Sequence, residues 1–269
     1  MRDALGDRMK SYEARETDRR FLPGVPVVSR IDGRAFSRFT KPMQRPYDPD
    51  FMAVMHEVTR ALVQESHALI GYTQSDEISL VYLADQPDAQ IFFDAKPQKM
   101  CSVLAAYATA QFLPRALARW PERAASMAPH FDARVFQVPS REEAANCLLW
   151  RELDATKNAI SMAARAHFSH KRLHGKSGAE MQEMLWQEAG INFNDYEPAF
   201  KRGTFFQRRK RLRHLSEEEM AHIPEPHRPT GPVERTEIAR LEMPRFSQVA
   251  NRAAVIFDGA EPEVRSAPD

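Results

Sequence analysis

Cysteine is scarce in this sequence: Cys101 and Cys147 are the only two among 269 residues. Neither sits in a spacing that would ligate zinc, and two thiols are too few for a disulfide framework. Long apolar runs are also missing. None approaches the roughly 20 residues of a membrane-spanning helix, so no membrane partner is expected. Residues 1–20 are dense in charge and lack the apolar middle of a secretory signal. The expectation is a reduced, cytoplasmic protein. There is no large charge imbalance either: the net charge is +1, so no global field attracts nucleic acid. The cations are clustered, however. Residues 201–213 hold Lys201, Arg202, Arg208, Arg209, Lys210, Arg211 and Arg213 with no acidic residue. A smaller basic loop contains Lys171, Arg172, His174 and Lys176. No internal repeat is visible, and the chain is long enough for a sizeable core.

What is present has a clear order. Residues 25–31 are β-rich and lead directly into Asp32-Gly33. Asp48-Pro49 forms a helix start, with Phe51, Val54, Met55, Val58 and Leu62 at helical spacing to about residue 68. Residues 68–74 and 78–83 read as strands separated only by the polar tip Ser75-Asp76-Glu77, a tight hairpin. A second helix carries Met100, Val103, Leu104 and Tyr107, and residues 131–138 alternate as a strand. Ser140 with Glu143 and Ser177 with Glu180 are capping boxes opening two further helices, the first running to about residue 168. Residues 223–232 contain four prolines and read as a loop. The stretch from Thr236 has room for a strand or two, and the closing residues are expected to fray.

The sequence therefore predicts an α+β protein. A ferredoxin-like βαββαβ domain of the polymerase-palm type spans residues 1–139. A helical, basic C-terminal region, residues 140–269, packs on the palm, and its cations suit a phosphate backbone. In that topology strand three lies between strands one and two, antiparallel to both. Asp32 at the end of strand one then meets Asp76 at the start of strand three. Each motif alone is an ordinary turn; their adjacency at one sheet edge is not. Two carboxylates so placed repel each other unless a hard cation such as Mg²⁺ neutralises them. A pair of such ions can assist phosphoryl or nucleotidyl transfer. Gly33, without a Cβ, lets the backbone approach an ion or a triphosphate.

Several blocks carry a resemblance. Arg30-Ile-Asp-Gly-Arg-Ala-Phe36 and Gly71-Tyr-Thr-Gln-Ser-Asp-Glu-Ile-Ser79 closely resemble the signature blocks of the tRNA(His) guanylyltransferase family. Phe131-Asp-Ala-Arg134, Trp150-Arg151 with Asp154, Gly190-Ile-Asn-Phe-Asn194 and Lys201-Arg-Gly-Thr204 continue it in family order. The resemblance implies two Mg²⁺ ions, ATP and GTP as substrates, tRNA as partner and a homotetramer. It also implies addition of nucleotides at the 5′ end of tRNA, a 3′–5′ direction of growth. Carried over by position, Asp32, Gly33 (through its carbonyl) and Asp76 would hold metal. Glu77 would be a further acidic group, either a ligand or a neighbour that supports one. Gly33, Arg34, Ala35, Phe36, Ser37 and Asn158 would belong to the nucleotide-binding site, with Ser75 and Arg45 at the triphosphate and Lys96 and Lys99 in a phosphate-binding basic cluster.

Residues 156–162, Thr-Lys-Asn-Ala-Ile-Ser-Met, keep Asn158 but little else of a block found in eukaryotic members, and Ser37 stands where those members usually have histidine. This resembles the bacterial and archaeal guanylyltransferase-like branch, and it implies 5′-end repair more than guanylate addition to one tRNA. Two other readings stay open: a nucleotide cyclase or 5′–3′ polymerase on the same palm, and a non-catalytic RNA-binding module. Phe205 and Phe206, inside the basic stretch, are either base-stacking residues or core.

Overall fold

Residues 3–85 and 89–265 are described by the computed structural model; the last residues, expected to fray, fall partly outside that range. The elements follow in chain order: α1 (Ala4–Thr17), β1 (Val27–Gly33), α2 (Phe36–Phe39), α3 (Pro49–Ser66), β2 (Ile70–Gln74), β3 (Glu77–Tyr82), α4 (Pro97–Arg119) and α5 (Pro121–Met127). Next come β4 (Phe131–Gln137), α6 (Arg141–His167), α7 (His170–Leu173), α8 (Gly178–Ala189) and α9 (Pro198–Arg202). The chain ends through β5 (Thr204–Arg213), α10 (Glu217–Ala221), β6 (Val233–Arg240) and α11 (Arg252–Asp258). The architecture is α+β: helices against an antiparallel sheet ordered β4-β1-β3-β2-β5-β6. No helix among the described residues is long and apolar enough to cross a membrane.

Local chemistry explains the helix ends. Asp48 accepts the Phe51 N–H at 3.0 Å, with Pro49 in the first turn, where its missing N–H costs nothing. The Ser177/Glu180 capping box forms in both directions. At Ser140 only half of one forms: the hydroxyl accepts the Glu143 N–H, while the Glu143 carboxylate turns to Asn146.

Alternation along the strands divides the core between two faces of the sheet. Val27 and Ile31 of β1, with Ile78, Leu80 and Tyr82 of β3, pack under α3 and α4. Val28, Ile70, Tyr72 and Val81 point the other way, toward α6 and the segment ending in α11. As expected, β3 lies between β1 and β2 and runs antiparallel to both.

Two features differ from expectation. First, β1 runs to Gly33 and β3 starts at Glu77. Asp32 and Glu77 are therefore paired strand residues, and the hairpin turn is only Ser75-Asp76. Ser75 takes a left-handed backbone (φ 53°) to make it, a conformation costing a residue with a Cβ about 1 kcal/mol. Second, the basic stretch is mostly strand. Phe205 and Phe206 are buried on opposite faces of the sheet, one in each core layer, so they are core rather than base-stacking surface. The alternation was hidden because the cations filling the outer half of β5 carry no apolar signal. They pair instead with acidic residues distant in sequence: Arg209 with Glu261, Lys210 with Glu234 and Arg211 with Glu237. Gly203 lets β5 join β2. A Cβ there would lie 2.6 Å from the Thr73 carbonyl oxygen, and its φ of +76° favours glycine.

Candidate active site

The register of the central strands assembles an acidic edge. Asp32 of β1 has Glu77 of β3 as its partner on one side and Asp132 of β4 on the other. One turn residue away, the Gly33 N–H donates to the Asp76 carbonyl at 3.1 Å, tying the two signature blocks together. Like charges directly opposite on neighbouring strands destabilise a sheet. The effect is visible in the acidities. Burial, then the Asp132 charge, raises the Asp32 carboxyl. Burial, then the Asp32 charge, pushes Asp76 up to about 6.

Glu77 is handled differently. Its carboxylate receives both arms of the Arg151 guanidinium, at 2.5 and 2.9 Å, while the same guanidinium reaches Asp154 at 3.2 Å. Burial raises its pKa and Arg151 opposes that shift. A carboxylate gripped this way has fewer lone pairs for an ion than Asp32 or Asp76, so its geometry suits holding Arg151 and the β3 start in place.

The other residues singled out from sequence divide into groups. Ser75 and Arg45 line one cavity with Asp48, Thr73, Met162 and Phe200, beside the Asp76 turn. The Arg45 guanidinium donates to the Thr40 and Lys41 carbonyls at 3.2 and 3.0 Å. Asn158 is exposed on α6. It shares a helical stripe with Arg151, Asp154 and Met162, so it lies between the Glu77 ion pair and that cavity.

Gly33 has a second reason to be glycine: a Cβ there would fall 2.5 Å from the Phe36 ring. Phe36 itself is buried among Phe39, Phe51, Phe112 and Phe131, leaving only its main chain for a ligand. Ala35 (φ 58°) turns the chain into α2. Arg34 and Ser37 are exposed, and Arg34 lines a separate cavity with Arg38, Met127 and His130. Lys96 and Lys99 are not brought to this edge. Lys96 pairs with Asp18 at 3.0 Å, and Lys99 lies over Phe93. The part of α4 near Gly33 is Phe112, thirteen residues and about 20 Å further along the helix.

Asp132 and Arg151 are the residues sequence reasoning gave no role. Asp132 had a signal, the polar phase of an alternating strand, but its partner follows only from the register. Arg151 stood in a quoted block without an assigned partner.

Among the described residues no group of three or more His, Cys, Asp or Glu side chains is arranged to hold a metal ion. The edge offers an ion two carboxylates of raised pKa, Asp32 and Asp76, beside the Gly33 backbone. That donor set, all oxygen and few in number, fits Mg²⁺, which is usually held by one or two carboxylates plus phosphate oxygens and water.

A family model described as tRNAHis guanylyltransferase matches residues 6–139. The chain is 27% identical over 216 residues to the probable tRNA(His) guanylyltransferase of Drosophila melanogaster, covering 76% of this chain and 74% of that protein. A bacterial tRNA(His) guanylyltransferase-like protein, solved in complex with ATP, is 31% identical with a TM-score of 0.78, over 94% of this chain and 99% of that one. A bacterial protein of the same description, in complex with GTP, is 31% identical with a TM-score of 0.69, over 91% and 94% of the two chains.

Proposed function

This chain belongs to the tRNA(His) guanylyltransferase family of nucleotidyltransferases, and from that premise we propose that it adds nucleotides to the 5′ end of tRNA in the 3′–5′ direction. The observation that carries the reading is the Asp32/Asp76 edge, assembled by strand register and by the Gly33–Asp76 hydrogen bond. The β4-β1-β3-β2 order supports a ferredoxin-like palm as its scaffold. Asp32 and Asp76, with the Gly33 carbonyl, would hold two Mg²⁺ ions. Bound there, they supply positive charge against the phosphate oxygens.

The rest is the work of this chain's residues. The cavity beside Ser75 excludes water around the base of a nucleoside triphosphate, with Ser75, Arg45 and Asn158 orienting its phosphates. Arg151 fixes Glu77 and opposes the rise that burial imposes on its pKa. The tRNA 5′-phosphate first attacks the α-phosphate of ATP or GTP, forming a phosphoanhydride and releasing pyrophosphate. The 3′-hydroxyl of the incoming nucleotide then attacks the activated end and displaces the activating nucleotide. The bacterial relatives solved with ATP and with GTP support both as substrates. The altered stretch at 156–162 supports repair of truncated ends over service to one tRNA.

Residues 140–269 contribute Arg151, Asn158 and, through Met162, Ala199 and Phe200, one wall of the cavity. We assign tRNA contacts to this region, in a cytoplasmic setting. The homotetramer that the family resemblance implies would cover α1, none of whose residues is buried although Leu5, Met9 and Tyr12 form an apolar stripe along it. A helix of 14 residues is marginal without packing. Incubating 5′-truncated tRNA with labelled nucleotide tests the function. Label at the 5′ end supports it, whereas a cyclic mononucleotide product or 3′-end label supports a different palm enzyme.

A further inference from the structure

Half of Trp150 is exposed (51%), although tryptophan is the largest apolar side chain available to a core. It projects from α6 one residue before Arg151, and two guanidinium groups attend its ring. That of Arg151 lies 4.6 Å from the ring centroid and that of Arg30 lies 5.6 Å from it. Arg151 cannot swing away, because Glu77 and Asp154 hold it. Arg30 is two residues before Asp32 on the same face of β1. Its register partner on β4 is Arg134, so two cations stand opposite each other. The Arg30 Nε is buried with no hydrogen-bond partner. Arg134 has Asp132 at 3.6 Å as an ion-pair partner, so it is the Arg30 guanidinium, with its unused buried donor beside the Trp150 ring, that is open to an incoming phosphate.

The position of this cluster relative to the acidic edge indicates what it serves. Along α6 the cavity is at Met162, and Trp150 is twelve residues away, about 18 Å. Glu77, paired with Arg151, lies between them. One side of the edge is thus the cavity beside Ser75. The other is an open shelf of aromatic surface and arginine, extended by the exposed Leu153 one turn along and by Phe136 on β4. Unpaired nucleic-acid bases stack on aromatic rings and on guanidinium planes, while arginines take the adjoining phosphate.

We propose that Trp150, flanked by Arg30 and Arg151, is the platform on which the terminal base of the tRNA acceptor end stacks, bringing the 5′ end to Asp32 and Asp76 from the open face of the sheet. The assignment rests on the reading of the protein as an enzyme of tRNA 5′ ends, and its test is a binding measurement independent of turnover. A 5′-truncated tRNA carrying a dye in the anticodon loop is titrated with wild-type protein, Trp150→Ala and Trp150→Phe, each checked by circular dichroism. Trp150→Ala should weaken tRNA binding about tenfold or more. Trp150→Phe, which keeps a ring, should stay within about threefold of wild type, and the KM for ATP should be unchanged in both. Where Trp150→Ala does not fold, intrinsic fluorescence decides: the emission lost in Trp150→Phe should be quenched by tRNA and not by ATP. Equal tRNA affinity in Trp150→Ala, or in the second experiment no quenching by tRNA, overturns the platform. A change confined to the KM for ATP does so too, because it reassigns Trp150 to the nucleotide. If the tRNA effect appears while wild-type protein adds nothing to the 5′ end, the platform stands and the proposed reaction falls.

Discussion

Gly33 serves two demands at once, and the second is structural. The space its Cβ would need is taken by the Phe36 ring, itself wedged among buried aromatics. Gly33→Ala should therefore lower stability by about 1–3 kcal/mol through overpacking, read as a fall in the urea midpoint. An unchanged midpoint would leave the glycine with only its role at the edge. His56 makes a pH prediction at the same scale. Burial, then the Arg240 charge, lowers its pKa to about 4, below the ordinary histidine value of 6.5. The unfolded chain consequently takes up the proton first. Stability from the neutral imidazole is complete above pH 6.5 and is lost as the pH falls from 6.5 toward 4. The loss amounts to at most roughly 3 kcal/mol before solvent screening is discounted. Urea midpoints at pH 7 and pH 5 should fall further apart in wild type than in His56→Gln; an identical pH dependence would contradict the assignment.

At the scale of elements, β5 carries the sharpest contrast between position and charge. Its root, Thr204 to Gln207, pairs with β2 inside the core, and its outer half pairs only with β6. Phe206→Ala should cost about 3–5 kcal/mol, as truncation of a buried aromatic does. The double change Lys210→Ala, Arg211→Ala removes only exposed ion pairs and should cost about 1 kcal/mol or less. Denaturation curves for the two variants check the pair, and equal losses would contradict the burial assigned to Phe206. The legibility of the sequence follows the same division. The helix at Asp48-Pro49, the Ser177 box and the first four strands were readable because caps and alternation are local signals. The strand in residues 204–213 was not, because cations satisfied by remote glutamates imitate a solvated patch. Asp132 was unreadable as a site residue for a related reason: its facing of Asp32 is a property of the β1–β4 register, which no local pattern encodes.

For the whole molecule, a net charge of +1 means that an RNA partner must be held by local arrangements of charge and ring rather than by a general field. Three such arrangements converge on one sheet edge: the Asp32/Asp76 pair, the cavity beside Ser75 and the arginine-flanked Trp150. The family block at 30–36 supplies the first strand of that edge, and the block at 71–79 supplies the second with its turn. Fold and chemistry are therefore set by the same pairing of strands, and removing one aspartate should disable the reaction without dissolving the sheet. The direct test is end-mapped nucleotide addition to 5′-truncated tRNA, with wild-type protein and Asp76→Ala compared under Mg²⁺ and ATP. The account predicts label at the 5′ end with wild type and a loss of about three orders of magnitude or more in folded Asp76→Ala, a barrier increase of at least about 4 kcal/mol. Addition at an undiminished rate by Asp76→Ala, or no 5′ addition by wild type, would contradict it.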